Sequence, residues 1–221
     1  GIAIKNNQPF GFPKWINQDN ALFGEHPDDM EQYFVNPLPR FPEGLHFEDI
    51  PYHWEYKDYN IPTGNWNITS HLQDPRYFQH CMPLIREYFR MKDEFSPVDA
   101  ISLHYRAGDY IGDINAYHPR CTKDYYLQAL SHFPSDMRVC VFSDDIPEVM
   151  RMLGDDDRFY YPRRDKGYIK DFAFMKAHKH FITANSSFSY FAALLGEHPE
   201  KKIIMPERWF GAAAGGMKIA Y

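Results

Sequence analysis

Three cysteines in 221 residues, none of them in a C-x-x-C pair, are too few and too scattered for a disulfide framework or a zinc site. Cys81, Cys121 and Cys140 therefore read as buried free thiols. No stretch approaches the roughly 20 apolar residues that a membrane span needs, and no cleavable signal is visible. The chain is accordingly expected in the cytoplasm, peripheral to a membrane at most, with no integral membrane segment. An excess of positive charge is also lacking: 24 Lys and Arg stand against 30 Asp and Glu, a net of -6. Nothing draws the chain as a whole toward nucleic acid or anionic lipid, so an anionic ligand would need a local basic site. The G-x-x-x-x-G-K-[ST] and G-x-G-x-x-G loops are missing, which argues against a P-loop NTPase or a dinucleotide oxidoreductase. His178 and His180 alternate with lysines, match no metal motif such as H-E-x-x-H, and read as surface or satisfied histidines. Neither an internal repeat nor a low-complexity run is present.

What the chain does have is apolar and aromatic mass: 44% hydrophobic residues, among them 18 Phe, 16 Tyr and 4 Trp. That composition excludes disorder, and at this length folding buries roughly 70% of the unfolded surface. Residues 1 to about 75 are broken by Pro9, Pro13, Pro27, Pro37, Pro39, Pro42, Pro51, Pro62 and Pro75, so long helices are not expected there. Gly1 to Lys5 reads as a helix end, and the start on Gly1 rather than Met reads as that of a fragment. From Asp74 to Met91 apolar residues fall at helical spacing, which predicts one amphipathic helix kinked at Pro83. Beyond residues 92–94, buried strands (100–103, 139–142, 159–161, 181–184 and 203–205) alternate with helices (123–132, 147–153, 170–178 and 186–195). This order predicts an α/β fold with a parallel, Rossmann-like sheet. Residues 1–95 then form an irregular N-terminal domain and residues 96–221 the sheet domain.

In such sheets ligands bind beyond the carboxyl ends of the strands. Three strand-to-helix loops lie there. The first, His104-Tyr105-Arg106-Ala107-Gly108-Asp109-Tyr110, offers a permanently charged planar donor and a glycine that lets backbone approach a ligand. Its plain alternative is an Arg106–Asp109 ion pair beside a satisfied His104. The second, Phe142-Ser143-Asp144-Asp145-Ile146-Pro147, has the residues of an ordinary helix cap. The third, Asn185-Ser186-Ser187-Phe188-Ser189, carries more small polar residues than one cap requires, and a helix start is an anion site. Asp171 sits on the helix before it, where a first-turn partner for the helix dipole is the simplest reading.

Taken in order and at these intervals, His104-x-Arg106-x-Gly108-Asp109-Tyr110, Phe142-Ser143-Asp144-Asp145 and Asn185-Ser186-Ser187-Phe188-Ser189 resemble the α-1,2-fucosyltransferase family, glycosyltransferase family 11. The resemblance runs from about Gly64 to about Trp209 and touches Gly1 to Trp15. It implies a GT-B-like fold whose second domain binds the donor and whose irregular, incomplete first domain faces the acceptor. It further implies a GDP-fucose donor, inversion at the sugar carbon, a galactose-terminated glycan acceptor, no cofactor and no required metal. Position by position, it makes Arg106 the main ligand of the donor pyrophosphate and His104 a neighbour of the nucleoside. Ser187, Ser189 and the backbone around Ser186, at the loop opened by Asn185, would hold the phosphates. Asp171 would read the guanine edge, while Ser143, Asp144 and Asp145 would shape the nucleotide pocket. Asp109, Asp113 and His118 are candidates for the general base, with Asp109 named beside Arg106 as catalytic. Two departures stand out: Ala107 follows Arg106 where the family usually shows a second arginine, and the G-x-G-N-Q segment usual before the position of Gly1 is absent. A nucleotide-sugar or glycan-binding protein without turnover, and a transferase of another nucleotide sugar, are the competing readings. Trp15, Trp54, Tyr56 and Trp66 serve either packing or sugar stacking, with packing the commoner fate.

Overall fold

The computed structural model describes residues 1–12, 30–53, 55–68, 72–108, 115–154, 156–162 and 167–212. Two compact units divide between Lys92 and Asp93.

The first unit is as irregular as its prolines require. A single helical turn, α1 (Ile2–Lys5), precedes two three-residue strands, β1 (Glu48–Ile50) and β2 (Trp66–Ile68), which pair in parallel. The single helix expected over residues 74–91 is instead two 3-10 turns, Pro75–Tyr77 and Gln79–Cys81, followed by α2 (Met82–Tyr88). Pro83 explains the correction. Its ring would clash with the carbonyl four residues back, so it does not kink a helix in mid-course but sits in the first turn of a new one. Edge-on aromatic pairs do much of the packing, as between Phe10 and Tyr88 at 5.8 Å and Phe34 and Phe89 at 5.3 Å. Phe10, Phe12, Leu84, Ile85, Tyr88 and Phe89 line an apolar cavity of about 230 Å³. Tyr56 is occupied by packing, with the Tyr77 ring at 4.9 Å and the Arg76 guanidinium 3.7 Å from its centroid. Trp66 donates its indole N–H to Pro62 O, whereas Trp15 and Trp54 lie outside the described residues.

The second unit is the α/β fold that the sequence predicts. Five parallel strands, β3 (Val98–Tyr105), β4 (Val139–Ser143), β5 (Phe159–Tyr160), β6 (His178–Ile182) and β7 (Ile203–Ile204), lie in the order β5-β4-β3-β6-β7. Helices α3 (Lys123–Leu130), α4 (Ile146–Leu153), α5 (Gly167–Lys176) and α6 (Ser187–Leu195) alternate with the strands. Side-chain alternation explains the layers. Ile101, Leu103, Val139 and Val141 bury against Tyr126, Ala129, Leu130 and Val149 of α3 and α4. Cys140, Phe142 and Phe181, from the opposite face, bury against Met175, Ala192 and Ala193 of α5 and α6. Strands covered on both faces read as unbroken apolar runs, which is why they are visible in sequence.

His178 is placed differently from expectation. It does not end a helix but opens β6, opposite Val98, after Ala177 closes α5 with a bond to Phe174 O. His178 and His180 are both buried and both bonded. Nδ1 of His178 lies 2.8 Å from Phe174 O, and Nδ1 of His180 accepts from Lys202 N–H. A strand spelled His-Lys-His lacks the apolar run by which buried strands are recognised.

Candidate functional site

The chain order β3, β4, β5 runs outward to one edge of the sheet and then returns to place β6 on the other side of β3. This reversal makes the carboxyl ends of β3 and β6 the switch point, where the two following loops part to opposite faces and where sheets of this kind bind ligands. The first and third loops emerge there.

The first loop is held by the second. Both oxygens of Asp144 accept successive backbone N–H groups, Ala107 at 2.8 Å and Gly108 at 2.9 Å, and Oδ2 also pairs with Arg106 Nη1 at 3.2 Å. Arg106 thus pairs with Asp144; Asp109 and Asp113 lie outside the described residues. Gly108 is required for this approach, because a Cβ there would sit 2.7 Å from Asp144 Oδ2. The Arg106 side chain remains 32% exposed. Ser143 and Asp145 serve the local turn: Ser143 Oγ accepts from Asp145 N–H, and Asp145 Oδ1 caps Glu148 N–H, each at 2.9 Å.

The third loop meets the first through buried groups. His104 Nδ1 and Ser189 Oγ are hydrogen-bonded at 2.9 Å, and the imidazole lies 5.7 Å from the Phe188 ring. Tyr126, fully enclosed and with its phenol pushed well above its ordinary range by that burial, donates to His104 O. Ser189 Oγ also donates to Ser186 O. Ser186 precedes α6 without a side-chain cap to the helix, and no acidic residue lies in the first turn. The leading N–H groups of α6 have no intrahelical acceptor, which is the condition for holding an anion.

Asn185 serves a structural joint. Its Nδ2 donates to Pro119 O at 2.8 Å and to Trp209 O at 3.2 Å, and the Cys121 thiol reaches its Oδ1 at 3.6 Å. Burial pushes that thiol up. Asp171 is in the second turn of α5, since the helix starts at Gly167; it is therefore not the first-turn dipole partner that the sequence suggested. Its charge, after burial itself, helps push the Cys140 thiol up to about 12. His118 lies against Phe210 with ring centroids 5.4 Å apart.

Sequence reasoning missed Tyr105, Arg120 and Glu148. Glu148 Oε1 accepts from Tyr105 Oη at 2.9 Å and from Arg120 Nη1 at 2.8 Å. Burial and then the Glu148 carboxylate push the Tyr105 phenol up to about 12, keeping it a donor. A signal for Glu148 did exist. Asp145-x-x-Glu148 has capping-box spacing, but only half of the box forms: the Glu148 N–H is capped while its carboxylate turns to Tyr105 and Arg120. Among the described residues no group of three or more His, Cys, Asp or Glu is placed to hold a metal ion, and no helix is long and apolar enough to cross a membrane.

The model of the family described as Glycosyl transferase family 11 matches residues 49–209. An Escherichia coli protein named alpha-1,2-colitosyltransferase is 28% identical over 168 residues, 66% of this chain and 57% of its own length. A second Escherichia coli protein, named O-antigen biosynthesis glycosyltransferase WbnK, is 29% identical over 116 residues, 49% of this chain and 38% of its own. The chain thus spans little more than half of the first relative and well under half of the second. No solved structure matches it significantly.

Proposed function

We propose, from the premise that this chain belongs to glycosyl transferase family 11, that it transfers L-fucose from GDP-fucose to a glycan hydroxyl, the 2-OH of a terminal galactose, with inversion and without a metal. The observation that carries this reading is the His104–Ser189 hydrogen bond at the switch point, which joins the Arg106 loop to the open start of α6. As the glycosidic bond breaks, negative charge grows on the departing diphosphate. Arg106 and the first-turn N–H groups of α6 are preorganised donors for that charge and need no reorganisation during reaction. Asp144 fixes the turn that presents Arg106.

Arg106→Ala is expected to lose on the order of 10² to 10³ in turnover, the usual loss for one preorganised donor, while its melting temperature stays near that of the parent. Near-normal transfer by this variant removes Arg106 from the mechanism. GDP-fucose is further expected to raise the melting temperature more than GDP-mannose or UDP-sugars do, because a ligand stabilises the state it binds by mass action. The relative named for colitose transfer supports a second reading, colitose in place of fucose on the same diphosphate site. Transfer assays with each sugar nucleotide distinguish the two. Binding of GDP-fucose without GDP release in the presence of galactosides would favour a protein that binds without turnover.

A further inference from the structure

The segment 115–121 belongs to none of the three loops read from the sequence, yet it bonds to the first, to the third and to the helix that follows the second. Arg120 Nη2 approaches Ala107 O at 3.4 Å in the first loop. Arg120 Nη1 holds Glu148 of α4, just beyond the second. Asn185 of the third grips the backbone carbonyl of Pro119 and receives the thiol of Cys121, the two neighbours of Arg120. The far side of the segment is fixed as well. Tyr117 O accepts from Gly211 N–H at 2.7 Å, and a Cβ on Gly211 would fall 2.1 Å from Ala116 O.

We propose that Arg120 is a positioning residue for the donor site, setting the 106–108 turn from the side opposite Asp144 and thereby the placement of the Arg106 guanidinium. Asp144 draws on the N–H groups of Ala107 and Gly108, while Arg120 draws on the carbonyl of Ala107. The turn is therefore clamped on both polar edges of one peptide segment. The clamp needs the fork of an arginine, because one nitrogen faces Glu148 and another faces the turn. Glu148 is itself fixed by Tyr105, the last residue of β3, so the clamp is referenced to the sheet and not to a mobile surface group. Asn185 sets the reach of the side chain by holding the Pro119 carbonyl before it and the Cys121 thiol after it. The guanidinium of Arg120 is divided between the Glu148 carboxylate and the carbonyl of Ala107. Its contribution is geometry, delivered through Arg106.

This inference rests on the proposed donor site, and a double-mutant cycle read by GDP binding to the full chain separates the two. Arg106→Ala alone tests the donor site: unchanged GDP affinity would show that the site reading has failed, whatever Arg120 does. Given a loss in Arg106→Ala, Arg120→Met is expected to weaken GDP binding by about tenfold, and Arg106→Ala with Arg120→Met to bind no more weakly than Arg106→Ala alone. Residues that act through one another are non-additive in this way, whereas independent ones add. Additive losses, or full affinity in Arg120→Met, overturn the positioning role. Arg120→Lys is the variant for the case where Arg120→Met does not fold. It keeps the charge but lacks the fork, and a loss like that expected of methionine supports the clamp, while parental affinity overturns it. Thermal melts of every variant exclude a general loss of fold.

Discussion

Helices α4 and α6 both begin at the carboxyl edge of one sheet, and they spend their first turns in opposite ways. At α4, Asp145 caps Glu148 N–H, Ser143 accepts from Asp145 N–H, and Asp144 leaves the helix to clamp the turn after β3. Three carboxylates stand at that end, two of them paired with Arg106 and Arg120. At α6, Ser186 gives no side-chain cap, no acidic residue stands in the first turn, and Ser189 bonds to His104. Both starts follow a strand and carry Ser with Asp or Asn, yet one has become scaffold and the other keeps its positive end open. In the proposed reading, the sign of the side chains, and not the presence of a helix start, selects α6 over α4 for the diphosphate.

Making α6 resemble α4 should have the largest effect. In Ser186→Asp a carboxylate takes the place proposed for the phosphate, and at about 4 Å with an effective dielectric of about 20 two unit charges repel by about 4 kcal/mol. GDP affinity is expected to fall on the order of a hundredfold or more, while the helix gains about 0.5–1 kcal/mol from its new cap. Calorimetric titration with GDP beside a thermal melt reads both effects. Unchanged affinity with a higher melting temperature would show that no anion is held there.

Gly108→Ala comes next. Its Cβ would meet Asp144 Oδ2 at 2.7 Å, so the carboxylate must move from two N–H groups and from Arg106. Charge-assisted bonds of this kind contribute about 1.5–3 kcal/mol each, and partial loss predicts about a tenfold weaker GDP complex. Equal affinity would mean that the Asp144 clamp does not set the position of Arg106.

The difference between the two helix starts was only half legible in the sequence. Val139 to Phe142 announce a buried strand because both faces are covered, and the Ser and Asp residues after it announce a helix cap. Which polar groups turn inward is not local information. Asp144 leaves its own helix for the backbone 36 residues earlier, and Glu148 leaves its capping box for Tyr105 and Arg120. Asn185 looked like part of an anion cradle, yet its amide joins Pro119 to Trp209, segments that only the fold brings together. The first unit was legible only as irregular, because strands of three residues such as Glu48-Asp49-Ile50 leave no period to detect.

Asp145→Ala sharpens the comparison from the scaffold side. Removing the cap should cost about 1 kcal/mol, a drop of about 2–4 °C in melting temperature for a chain of this size. GDP affinity should change by less than about threefold. A loss of binding as large as in Ser186→Asp would erase the division of roles between α4 and α6.

The smallest effect expected lies beneath both helix starts, in β6. Burial holds the imidazoles of His178 and His180 below their ordinary value, with Lys179 adding to the effect at His180. His180 Nδ1 accepts from Lys202 N–H, so a proton on that nitrogen must displace the bond that leads into β7. A lowered folded-state value means that the unfolded chain binds protons first. The stability from keeping these rings neutral is complete above about pH 6.5, and it is lost as pH falls below that value. Melts from pH 7.5 to 5.5 should show a decline that His180→Gln reduces. Because the decline belongs to the sheet, it should accompany Ser186→Asp and Asp145→Ala equally; a decline confined to one of them would place the titrating group at a helix start instead.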